Sequence, residues 1–291
     1  MKTDSGIATL ALSIILSACG SEDSKPTSPP RPARPKISSI TASDGALVAF
    51  TYQADKVSNV KSVGRDSKIT ADVTVQWDGD NISSLAFADT SGSGSPTIFK
   101  FTYSGGLLRS FAASGGSSTA TTAFTYDGDW LASDTTTVPG NDGGTVKYEY
   151  TYDGGRLTRV TITEKPNESS TTEVSTMEYT YDGSGVLKSI EAKAGSTSTL
   201  TLFLQDTSNR LQKVMHGSTT ETLEYGANGK VSRIIETGLS TKTYTYAYAD
   251  GEATGIVPVP RVNGGGSFDL EGVLVPAGKR WIDTSWLVGD F

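Results

Sequence analysis

The chain has 291 residues, 36% of them hydrophobic and 20% charged, enough to bury a substantial core in one domain or two small ones. Its formal charge is −7 and it carries no basic run, which excludes nucleic acid as a partner and electrostatic docking on anionic lipid. The single cysteine, Cys19, excludes an internal disulfide and a cysteine-based metal cage.

At the N-terminus Lys2 precedes an apolar stretch, residues 7–18, too short to span a bilayer and suited to the core of a signal peptide. It ends in Leu16-Ser17-Ala18-Cys19-Gly20, which resembles a bacterial lipobox. The resemblance implies a lipoprotein signal peptide over 1–18 and palmitate-type acylation of Cys19, the mature N-terminus. Gly20 rather than Asp after the cysteine resembles an outer-membrane sorting signal, and Ser21-Glu22-Asp23 resembles an acidic surface-export tag. The periplasmic and cell-surface faces both remain open. Residues 19–36 hold five of the 11 prolines and no large apolar side chain, so they read as a disordered, semi-extended tether.

From residue 37 the pattern alternates with period two. Phe99-Lys100-Phe101-Thr102-Tyr103, Lys147-Tyr148-Glu149-Tyr150-Thr151-Tyr152 and Thr243-Tyr244-Thr245-Tyr246-Ala247-Tyr248 each place aromatics on one face, as half-buried strands do. A turn follows each strand. Its clearest copies are Tyr126-Asp127-Gly128, Tyr152-Asp153-Gly154 and Tyr181-Asp182-Gly183, where glycine supplies the positive φ of a tight hairpin. Weaker copies begin at Tyr52, Trp77, Tyr103, Phe203, Tyr225 and Tyr248.

After the turn, segments such as Leu157-Thr158-Arg159-Val160 and Leu187-Lys188-Ser189-Ile190 space their apolar residues three apart. A β-bulge, a strand that settles late into the sheet, or one turn of helix would each produce that spacing. Longer Ser/Thr/Gly loops are expected at 92–96, 139–144, 166–172 and 195–199.

Eight such units over 37–255 predict an all-β antiparallel meander of about sixteen strands. At roughly 4.8 Å per strand it would be about 75 Å wide, and open sheets beyond about ten strands curl. The expectation is an open or barrel-like sheet with its aromatic face inside, the stacked tyrosines forming core rather than a ligand platform. The tail 256–291, with Trp281 and Trp286, reads as a C-terminal capping segment.

Tyr150-Thr151-Tyr152-Asp153-Gly154-Gly155-Arg156-Leu157 and Tyr179-Thr180-Tyr181-Asp182-Gly183-Ser184-Gly185-Val186-Leu187 resemble the YD-repeat (RHS-type) signature. That signature is aromatic-x-Tyr-Asp, a glycine turn, then Arg-Leu. The resemblance covers about residues 50–250 and implies a β-hairpin repeat fold. Ser104, Gly226 and Ala249 replace its Asp, and Trp77 and Phe203 its Tyr. The array is too short for the toxin-enclosing shell of large RHS proteins.

Chemistry is sparsely signalled. His216, the only histidine, reads as a solvated loop residue. Asp78-Gly79-Asp80 and Asp127-Gly128-Asp129 suit a weak Ca²⁺ site, but turn chemistry accounts for them first. No dinucleotide fingerprint, P-loop or nucleophile elbow occurs. No catalytic residue, cofactor or metal is predicted. A transmembrane β-barrel is disfavoured, because the tyrosines do not form two separated girdles. The expected function is a non-catalytic outer-membrane lipoprotein, held to the membrane through Cys19, that scaffolds or binds an envelope glycan or protein. The alternative is an envelope enzyme acting on polysaccharide or peptidoglycan through carboxylates in a cleft.

Overall fold

The computed structural model describes residues 33–254, except 80, 89–95, 116–117, 129, 141–142, 168–170 and 209, together with 274–277 and 280–283. The predicted signal peptide, Cys19, the tether up to residue 32 and most of the capping segment lie outside the described residues.

The first strands are β1 (Ala33–Ala42), β2 (Leu47–Gln53), β3 (Lys56–Val63), β4 (Ile69–Asp78), β5 (Asn81–Phe87) and β6 (Thr97–Ser104). Next come β7 (Leu107–Gly115), β8 (Ser118–Asp127), β9 (Trp130–Thr137), β10 (Thr145–Asp153), β11 (Arg156–Lys165) and β12 (Glu173–Tyr181). The barrel ends with β13 (Leu187–Ala194), β14 (Thr197–Gln205), β15 (Leu211–His216), β16 (Thr219–Tyr225), β17 (Val231–Thr237) and β18 (Thr241–Thr254). A separate hairpin, β19 (Leu274–Ala277) and β20 (Arg280–Asp283), falls in the predicted capping segment, and β19 lies alongside β7.

Each barrel strand pairs antiparallel with the next, and β18 pairs back onto β1. Of the open and barrel-like forms expected, the structure takes the closed barrel, with 18 strands rather than about sixteen. Closure removes both edges, and with them the unpaired backbone groups that template aggregation.

The two additional strands have one origin. Eight hairpins run from the Tyr52 unit to the Tyr225 unit, and among the described residues no following strand pairs with β18 to complete the Tyr248 unit. β1 takes that place: Ile37 pairs with Tyr248, the register skips, and Ile40 pairs with Tyr246. Within an ordinary hairpin Leu157 pairs with Tyr152 and Val160 with Tyr150 across the same skip. A ninth unit is therefore split between the two ends of the domain. Lys36, expected in the tether, belongs to β1, which begins at Ala33, ahead of the predicted start at residue 37.

The local devices repeat. Gly154-Gly155 and Gly105-Gly106 both hold positive φ in two-residue turns (54° and 75°; 61° and 76°), the left-handed pair a tight hairpin needs. In the Tyr181 copy the turn is longer and the positive φ falls on Gly185 rather than Gly183. All eight hairpins then skip one residue after the turn, so the three-apart spacing is a β-bulge. At three of them the bulged hydroxyl bonds back across the pair: Ser58 to Thr51 O, Thr158 to Thr151 O and Ser232 to Glu224 O.

The signature aromatics do more than fill space. Tyr126, Tyr181, Tyr225 and Tyr248 donate their hydroxyls to the carbonyls of Leu108, Leu157, Leu211 and Val231, at 2.6–2.8 Å. Trp77 Nε1 does the same to Val57, and Tyr52 to Ile37. The residue next to each acceptor lays a cation over the same ring: Arg109, Arg156, Arg210, Lys230, Lys56 and Lys36. Arg-Leu in the repeat is thus a receptor for the next unit's aromatic, and at these six seams it staples one hairpin to its successor. Phe203 does not hold the aromatic position of its unit. Gln205 does, since it pairs with Leu211 as Tyr152 pairs with Leu157.

One continuous core forms on the inner face, from Ile37 and Val57 through Phe111, Leu131 and Val160 to Tyr179, Tyr244 and Tyr246. The tyrosine stripe is core, as expected. A circular barrel of this size would be about 35 Å across and leave a channel. Sealed inner residues mean that this interior is filled instead.

Tyr181→Phe keeps the ring but leaves the Leu157 carbonyl without its donor, so it should cost about 1 kcal/mol of unfolding free energy. Urea denaturation checks this; an unchanged midpoint would remove the staple from the account of stability.

Candidate functional site

The inner wall is not uniformly sealed. Inward residues of the other barrel strands include fully buried Val60, Val73, Leu85, Phe111, Phe124, Leu131, Val160, Met177 and Ile190. Across β14, β15 and β16 the inward side chains from Thr199 to Leu223 are only half-buried, among them Thr199, Thr201, Phe203, Val214, His216, Glu221 and Leu223; β10 is half-buried too, but its inward Val146, Tyr148, Tyr150 and Tyr152 are apolar or aromatic. The cause is legible in β14. Its sequence, Thr197-Ser198-Thr199-Leu200-Thr201-Leu202-Phe203-Leu204-Gln205, enters the ladder with Thr201 opposite buried Ile190. Threonines therefore face inward, and Leu200, Leu202 and Leu204 stand exposed on the outer wall, with Met215 beside Leu202.

Register assembles the inner polar groups in two rows. Tyr179, Ile190, Thr201, His216 and Thr219 succeed one another directly across β12–β16. Phe203, Val214, Glu221, Glu236 and Lys242 form the next row across β14–β18. Thr201 Oγ1 and His216 Nδ1 share a hydrogen bond of 2.7 Å. His216 thus lies in a strand and points inward, not in a solvated loop. The loop expected at 195–199 is likewise a two-residue turn, because Ala194 already pairs with Thr197.

Glu221 and Glu236 are directly opposed, which places their side chains side by side on one wall, with Cβ atoms about 5 Å apart. Burial first, and the Glu236 charge second, push the Glu221 carboxyl up to about 7. Burial also raises Glu236, against the opposing pull of Lys242, whose Nζ lies 3.6 Å from Asp44 Oδ2. Two carboxyls so placed, both raised by burial, offer acceptors to a hydroxyl or amine. Glycoside hydrolysis sets its two carboxyls on opposite sides of the scissile bond, so this pair on one wall supplies one of them and not both.

The predicted turn carboxylates are otherwise employed. Asp182 Oδ1 accepts from Ser184 N (2.9 Å), Ser184 Oγ (2.6 Å) and Val186 N (3.0 Å), and these bonds hold its carboxyl below the usual range. Asp153 and Asp127 close their hairpins opposite Arg156 and Trp130. Asp80 and Asp129, the second members of the two candidate Ca²⁺ pairs, lie outside the described residues. Among the described residues no group of three His, Cys, Asp or Glu side chains is arranged to hold a metal.

The outer wall is charged. Arg159, Glu178, Lys193 and Glu191 form a connected ion-pair network over β11–β13, and Arg233 pairs with Glu224 on β16–β17. Apolar residues inside and charges outside reverse the arrangement of a lipid-facing barrel. Among the described residues no helix is long and apolar enough to cross a membrane.

No family model matches the chain, and no curated protein matches it. Among solved structures, a porin-like protein from Bacteroides vulgatus is similar at 12% identity and a TM-score of 0.45, over 74% of this chain and 99% of that one. A porin-like protein from Bacteroides uniformis is similar at 13% identity and a TM-score of 0.41, over 77% of this chain and 100% of that one. The Tc holotoxin pore of Photorhabdus luminescens matches at 11% identity and a TM-score of 0.35, over 85% of this chain and 15% of that one.

Glu236→Gln removes the lesser of the two causes acting on Glu221. Carboxyl NMR titration should show the Glu221 midpoint falling yet staying above its ordinary value of about 4.3. An unmoved midpoint would mean that the two groups do not interact.

Proposed function

We propose that the chain is a non-catalytic, lipid-anchored binding module of the cell envelope, built on a degenerate YD-type hairpin repeat. The observation that carries this reading is the lining of β14–β16, where three neighbouring strands lack a fully buried inner residue and mix Phe203, Val214 and Leu223 with Thr201, His216 and Glu221. A mostly apolar surface with a few convergent polar groups suits a small ligand or a segment of a larger one. Acceptor-rich carboxyls and threonine hydroxyls favour a hydroxyl- or amine-bearing partner, such as an envelope glycan or a peptide. The charged outer wall supports a barrel that sits in water beside the outer membrane, held there through Cys19, rather than one that spans lipid.

A second reading is favoured by one observation. A carboxyl pushed up to about 7 is suited to general acid catalysis, so Glu221 would be the acid of an envelope glycan hydrolase. Glu221→Gln separates the two: a binding module retains glycan or peptide affinity within about tenfold, whereas a hydrolase binds but loses turnover.

Cys19→Ala should move the protein from the membrane fraction to the soluble envelope fraction. Retention in the outer membrane would sink the anchoring reading. For the site, the chain from Cys19 onward should bind peptidoglycan or surface-polysaccharide fragments in calorimetry. Phe203→Ala should weaken that binding about tenfold or more, by loss of roughly 1–2 kcal/mol of stacking and apolar contact. Binding that survives Phe203→Ala unchanged would place the ligand elsewhere.

A further inference from the structure

The buried carboxyl of Asp134 has a setting that neither the repeat nor the binding surface explains. β9 reads Trp130-Leu131-Ala132-Ser133-Asp134-Thr135-Thr136-Thr137, and Asp134 faces inward, paired with Phe124 on one side and Tyr148 on the other. It has no exposed surface. Oδ2 accepts from the Tyr150 hydroxyl at 2.6 Å, while Oδ1 meets no protein donor. The titratable groups that face it are Tyr126 on β8 and Tyr148 and Tyr150 on β10, all neutral at physiological pH. Among the described residues no cation pairs with it. An ionised carboxylate there would be an unpaired charge in an apolar wall, with half its acceptor capacity unmet.

Its position gives that chemistry a mechanical consequence. The β9–β10 ladder runs from Thr137–Thr145 to Ser133–Glu149 and stops. Beyond that point, toward the tight turns, the two strands are joined by side chains. Tyr150, the first β10 residue past the ladder, reaches back to Asp134, and the rings of Trp130 and Tyr152 meet with centroids 5.1 Å apart. We propose that Asp134 is a proton-operated lock on the β9–β10 seam, closed when the carboxyl is neutral and loosened when it ionises.

The direction of the pH dependence follows. Burial pushes the folded-state carboxyl up to about 7, with the Tyr150 bond opposing, whereas the unfolded chain releases the proton near its ordinary value of about 3.9. Below about 4 both states are protonated and the group makes no difference. As pH rises from about 4 to 7 only the unfolded state has given up its proton, so the folded seam loses relative stability, and above about 7 the loss is complete. Asp134 lies on β9, away from β14–β16, so the lock stands or falls independently of the binding reading.

The test uses the full chain. Hydrogen exchange at pH 5.5 and 8.5, corrected for intrinsic rates, should show protection across residues 130–152 falling about tenfold or more at the higher pH. Asp134→Asn, which mimics the neutral acid, should hold that protection at both. Loosening on β15–β17 would report Glu221 instead and is read separately. Carboxyl NMR of the unsubstituted protein supplies the second measurement, with an Asp134 midpoint near 7 expected. A midpoint near 4, or an Asp134→Asn protein that loosens at β9–β10 as the unsubstituted one does, overturns the lock. If Asp134→Asn does not fold, the carboxyl titration alone decides.

Discussion

The pairing of Ile37 with Tyr248 joins the two ends of the domain, and the rest of the structure depends on it. A meander of hairpins has one apolar face, and each unit alone can bury only part of it against its neighbours. Left open, the array would end in two bare edges and a core in contact with water. Splitting one repeat between the chain ends solves both problems with devices already in use elsewhere. Lys36 and Ile37 present to Tyr52 the same cation and carbonyl that Arg156 and Leu157 present to Tyr181. Closure thus needs no special chemistry. It depends instead on a contact between segments some 200 residues apart, made at high loop-closure cost.

Within the ring the repeat divides its work along the chain. Glycine turns reverse direction, the bulge that follows re-aims the strand, and the aromatic reaches across the seam to the preceding unit. The bulge makes that reach possible. By skipping one residue it lets the post-turn Leu face inward opposite the Tyr, and that Leu's carbonyl becomes the acceptor for the next aromatic. Six seams are consequently tied twice, by a backbone ladder toward the loop rim and by a side-chain staple toward the tight turns.

Much of this was legible in the residues. Tyr152-Asp153-Gly154 predicts the strand, the turn and the inward face, and Leu157-Thr158-Arg159-Val160 signals the irregularity that is the bulge. Other features were hidden for physical reasons. Lys36 sits in a proline-rich stretch whose composition reads as tether, and only its distant partners reveal a strand. Gln205 lacks the aromatic that marks its position in other units, so Phe203 seemed to take the place. His216 looked like a loop residue because Gly217 and Ser218 adjoin it, although they make a turn short enough to leave it in the ladder. Glu221 and Glu236 lie fifteen residues apart, and nothing local brings them together; the β16–β17 register does. Asp134 was invisible for the same reason, since the aromatics around it come from the flanking strands.

The location of the candidate site follows from a conflict in β14. A shift of one residue would turn Leu200, Leu202 and Leu204 toward the core and send Thr199, Thr201 and Phe203 outside. The turn at Gly195-Ser196 and the bulge before Val214 hold the strand in the opposite phase, with the Thr201–His216 bond on the inner side. That phase gives up apolar burial on roughly three leucines, at about 1–2 kcal/mol each. A wall that only had to seal the barrel would not retain such a strand. Polar groups inside and leucines outside coincide on β14–β16, where three neighbouring strands lack a fully buried inner residue. The local loss of packing at β14–β16 is therefore what supports placing the proposed binding surface there.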